Sequence, residues 1–158
     1  MRRVWVGVLA VVMAVAGTTA HGDDLDKPTP IRVTVVVIYA TSENNVVDRK
    51  LTTLAKEMQK REANLIGFEL KYAIQKSIPV GESHQFPLPE QQTLSVAIDK
   101  PRDKNGRVGL TVTGPGGGTA SYSCACGKFL PIITEHKTPC GKTMMLAVGA
   151  KPCTGKGP

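Results

Sequence analysis

Four cysteines fall in the last 35 residues of the 158-residue chain: Cys124, Cys126, Cys140 and Cys153. An even set of thiols can form disulfides or hold a soft metal. Cys124 and Cys126 are two apart, so on a strand they point the same way, ~6.6 Å apart. A disulfide needs Cβ atoms at ~3.8 Å, so these two are not expected to join each other while extended. Each is expected to bridge to Cys140 or Cys153, with three pairings open in principle. The preferred arrangement is Cys124 or Cys126 with Cys140, and the other with Cys153. The alternative is a tetrahedral thiolate site for zinc or Cu(I). His136 could join such a site only if the cysteines are free. The Cys-x-Cys spacing is not the Cys-x2-Cys step of structural zinc sites. A redox-active thiol needs a cation or a helix N-terminus to lower its pKa, and Lys128 is the only cation close in sequence.

Other constellations carry less. His21 would become the N-terminal residue after cleavage at Ala20, and its amine and imidazole could chelate copper. A second imidazole would be required, with only His84 and His136 remaining, so His21 reads as a solvated terminus. Gly114-Pro115-Gly116-Gly117-Gly118 and Cys140-Gly141-Lys142-Thr143 resemble parts of a phosphate-binding loop without its spacing. Both read as turns. Ser121 and Ser123 lack a nucleophile elbow. Glu135 and His136 are strand neighbours facing opposite ways. No catalytic residue can be named. We expect a non-enzymatic chain without a cofactor.

The N-terminus states an address. Arg2 and Arg3 precede an apolar run, Val4 to Ala16, and Thr18-Thr19-Ala20 offers small residues for cleavage. This predicts a secretory signal peptide over 1–20, with Ala14-Val15-Ala16 as a second possible cleavage site. The run is shorter than the ~20 apolar residues of a bilayer span, so the mature chain is expected to be exported without a transmembrane span. The cysteine framework suits such a compartment.

Charge is uneven. Residues 21–99 hold nine Lys or Arg against eleven Asp or Glu, and residues 100–158 hold nine against two. Lys128, Lys137 and Lys142 are therefore candidates for contact with an anionic surface. No Lys/Arg cluster suggests nucleic acid. The only Trp, Trp5, lies in the signal. Six further aromatics (Tyr39, Phe68, Tyr72, Phe86, Tyr122 and Phe129) read as core residues, one per strand, too few for a stacking platform.

These residues need a scaffold. Ile31 to Ala40 is apolar on both faces, which predicts a central strand covered on both sides. Ser42 to Asn45 offers N-caps, and Val47, Leu51, Leu54 and Met58 recur at helical spacing, predicting an amphipathic helix over about 46–62. Phe68 to Gln75, Leu94 to Ile98 and Val108 to Val112 alternate as strands. Residues 79–92 read as a loop containing at most an edge strand. Asn105-Gly106 predicts a two-residue hairpin with positive φ at both positions. Tyr122, Cys124 and Cys126 share a strand face that could continue through Phe129 to Ile133, and Lys142 to Lys151 closes the chain as a strand.

The fold class is α+β. It is one domain over 31–153, with a mixed or antiparallel sheet of six or seven strands, sandwich-like in one version, and one helix. Residues 21–30 are a flexible lead-in and 154–158 a frayed tail. The expected role is an exported non-catalytic module that binds a protein or an anionic envelope polymer. The alternative is a metal-binding or redox protein using the cysteines.

Overall fold

The computed structural model describes residues 28–153. The expected signal peptide 1–20, His21, lead-in residues 21–27 and the tail 154–158 lie outside them. The elements are β1 (Ile31–Thr41), a 3-10 turn (Arg49–Leu51), α1 (Thr52–Gln59), β2 (Gly67–Ile78), β3 (Ser83–Pro87), β4 (Thr93–Lys100), β5 (Arg107–Thr113), β6 (Thr119–Ala125), β7 (Phe129–Lys137) and β8 (Thr143–Pro152).

They form two four-stranded sheets, in the orders β2-β1-β8-β7 and β3-β4-β5-β6. Every pairing within them is antiparallel. The period-2 alternation sends Val33, Val35 and Val37 of β1 and Leu146 and Val148 of β8 to one side of the first sheet. There they meet Phe86, Leu94, Val96, Ile98, Val108, Leu110 and Val112 of the second. One continuous buried cluster fills the space between the sheets, as in a β-sandwich.

The opposite face of β1 is apolar as well. Val36, Ile38 and Ala40, with Met145, Ala147 and Phe68, pack against Leu51, Ala55 and Met58 of the helical segment. β1 thus lies between β2 and β8, with sheet on one face and helix on the other, as its two apolar faces predict. No helix among the described residues is long and apolar enough to cross a membrane.

Three expectations are corrected. The strand number is eight, not six or seven. β3 forms between Pro79 and Pro89 because Phe86 can reach the core. Gly127 (φ 78°) turns the chain so that β7 leaves the second sheet and joins the first.

The helix is shorter than 46–62. Val46 and Asp48 use their backbone groups on Phe68 (Phe68 N to Val46 O 2.9 Å, Asp48 N to Phe68 O 3.0 Å). The cap is therefore Asp48, whose carboxylate accepts from Lys50 N at 2.9 Å. The Asn105-Gly106 turn also differs, since only Gly106 has positive φ (73°). Asp103 Oδ1 accepts from Asn105 N and Arg107 N at 2.9 and 2.8 Å. That arrangement is a longer loop ending in one left-handed glycine.

Candidate functional site

All four cysteines are free. Cys124 points from β6 into the core between the sheets and is 5% exposed. Burial pushes its thiol above the ordinary range, which disfavours the thiolate needed by a nucleophile or a metal ligand. Cys126 starts the turn into β7. That turn is fastened to β8 by Gly127 N to Ala150 O at 3.3 Å. Cys153 follows β8, its amide donating to Pro30 O at 2.9 Å and its sulfur 3.2 Å from Ser77 Oγ.

Cys140 is exposed in the β7–β8 turn, before the other end of β8. Seven strand steps separate Thr143 from Ala150, ~23 Å at the rise of a β-strand. Cys140 therefore cannot reach Cys124, Cys126 or Cys153, and the preferred pairing through Cys140 is corrected. The sequence places these cysteines within thirty residues, but the length of β8 puts Cys140 at the opposite pole.

The metal alternative meets the same geometry. Among the described residues no group of three or more His, Cys, Asp or Glu could hold one ion. His136 instead places Nε2 2.5 Å from Glu90 Oε2, tying β7 to the β3–β4 connection across the two sheets. Glu90 and Gln91 both have positive φ, 58° and 60°, costly for non-glycine residues. This tie borders a cleft of about 530 Å³ lined by the Gly114–Gly118 tip, Tyr122, Ile132 and His136. The tip is a hairpin turn (Gly114 N to Gly118 O 2.9 Å). The only hydroxyls lining the cleft are those of Thr134, donated to Met144 O, and Tyr122.

The three candidate lysines do not form one patch. Lys142 donates to Glu69 at 2.8 Å, and Lys71 donates to the same carboxylate at 3.1 Å. Lys137 ends β7 at the Cys140 pole. Lys128 sits at the other pole, on a surface the sequence reading missed.

That surface is the half of the first sheet's outer face that α1 leaves uncovered. Arg32 of β1 stands directly opposite Lys151 of β8. Like charges in that position repel. Lys128 leans in from the β6–β7 turn. A hollow of about 220 Å³ lies among Arg32, Lys128 and Lys151, floored by Thr34, Gln75 and Gly149, with no carboxylate in its lining.

Phe129, expected in the core, is 44% exposed here. Its ring lies on Gly149, its cross-strand partner, where an added Cβ would come within 2.9 Å of Cε1. No spacing in the sequence announces this group, because its cations come from residues 32, 128 and 151. Comparison with protein-family models, curated proteins and solved structures gives no match.

Proposed function

We propose that the chain is exported and acts as a non-catalytic module that binds an anionic envelope component through the basic outer face of the first sheet. The observation that carries this reading is the Arg32–Lys151 pair. Two cations face each other on adjacent strands, a third leans over them, and no carboxylate lines the hollow. An anion seated there relieves their repulsion and accepts hydrogen bonds from all three. An Arg beside two Lys suits phosphate or carboxylate oxygens. The apolar N-terminal run supports export.

The test is retention on an anionic polymer such as dextran sulfate. Reversing Arg32, Lys128 and Lys151 to Glu is expected to weaken retention by about tenfold or more at low salt. Reversing Arg102, Lys104 and Lys137 changes net charge equally and is expected to leave it nearly unchanged. Equal losses in both variants would mean that only net charge matters, and the reading would fall.

A further inference from the structure

The basic hollow does not stand alone. Gly127, Lys128 and Phe129 also wall a second, larger hollow of about 590 Å³ on the same face. Its floor is Val36 and Ala73, and its far wall is Leu51, Thr53 and Leu54 at the start of α1, with Leu70 beside them. Lys50 and Glu57 stand on its solvent rim, and Glu57 already accepts from Lys60 at 2.7 Å.

The two hollows occupy neighbouring rows of the sheet. Thr34 and Gly149 floor the first, and Val36 floors the second. Lys128 serves both. Its methylene stem can line the apolar section while its ammonium faces the basic one. Phe129 forms an apolar divider, and Gly149 gives its ring room to lie flat.

We infer that this compound groove binds a single-chain amphiphile with an anionic head. The head would seat among Arg32, Lys128 and Lys151, and the alkyl chain would run past Phe129 over Val36 and Ala73 to Leu54. The inference rests on the proposed function for its head site and adds the chemistry of the tail. Charge complementarity selects this occupant. A purely apolar partner would leave three cations desolvated without a counter-charge, which is costly. A purely ionic polymer would leave Phe129 and the half-buried Leu54 and Leu70 facing water. An apolar pocket with a few convergent polar groups is the ordinary form of a small-ligand site.

The experiment is calorimetric titration of the purified protein with dodecyl phosphate below its micelle concentration, beside inorganic phosphate and dodecyl maltoside. One-to-one binding of dodecyl phosphate is expected, about tenfold or more tighter than either comparator. Ala73→Glu puts a carboxylate on the exposed floor of the tail section without touching the core. It is expected to reduce dodecyl phosphate binding about tenfold while retention on dextran sulfate persists.

If dodecyl phosphate binds no tighter than inorganic phosphate, or Ala73→Glu changes nothing, the amphiphile inference is overturned and the anionic-surface reading survives. If the Arg32, Lys128 and Lys151 reversals leave both probes unaffected, the underlying reading fails as well. A stable dimer in solution that ignores dodecyl phosphate would assign the groove to a second copy and also overturn the inference.

Discussion

Cys124 and Cys140 show how far two thiols of one chain can diverge. Cys124 is buried with a raised pKa, its sulfur 3.5 Å from Lys128 O. Cys140 lies open in a turn. In native protein at neutral pH, iodoacetamide is expected to label Cys140 first and Cys124 last, read by peptide mass spectrometry. Early labelling of Cys124 would contradict its packing.

Glu69 tests the electrostatics of the same pole. Hydrogen bonds from Lys142 and then Lys71 hold its carboxyl below the usual range. A depressed folded pKa stabilises the fold above the unfolded value, ~4.3. That contribution is lost as pH falls through the folded value. Glu69→Gln is therefore expected to lower the unfolding midpoint slightly at pH 7, and to have no effect in acid or at high salt, because the pair is exposed.

At the scale of elements, the helix matters as a cover for β1. Met58 is fully buried against the outer face of the first sheet. Met58→Ala is expected to cost about 2–5 kcal/mol, read by chemical denaturation. A cost below 1 kcal/mol would mean that α1 is not firmly docked.

The β3–β4 connection invites the opposite change. Gln91 is exposed with φ 60°. Gln91→Gly should relieve about 1 kcal/mol of left-handed strain, offset in part by the extra freedom glycine has when unfolded. A neutral or stabilising result is expected, where most glycine substitutions destabilise. The helix stripe and the alternating strands were legible because each repeats its period over several residues. The exact helix start was not, because Phe68, distant in sequence, uses the backbone of Val46 and Asp48.

For the whole molecule, β8 is the decisive strand. It lies between β1 and β7 and, as the last described strand, pairs with the first, with Ile31 opposite Pro152. A chain ending at Cys140 lacks this central strand and is expected to show no cooperative unfolding transition by circular dichroism. The groove depends on the same pairing, since Arg32 and Lys151 become neighbours only through it.

The sequence alone determined the α+β class, the central two-faced strand and the helix stripe. Each of these is a local pattern of residue type and period, set by side chains acting within a few positions of one another. The tertiary structure decided how the strands divide into two sheets, why Cys140 cannot meet the other thiols, why Lys142 pairs with Glu69, and how Arg32, Lys128 and Lys151 gather beside Phe129. These depend on which strand hydrogen-bonds to which, and on register, where a slip of one residue would send every side chain to the other face.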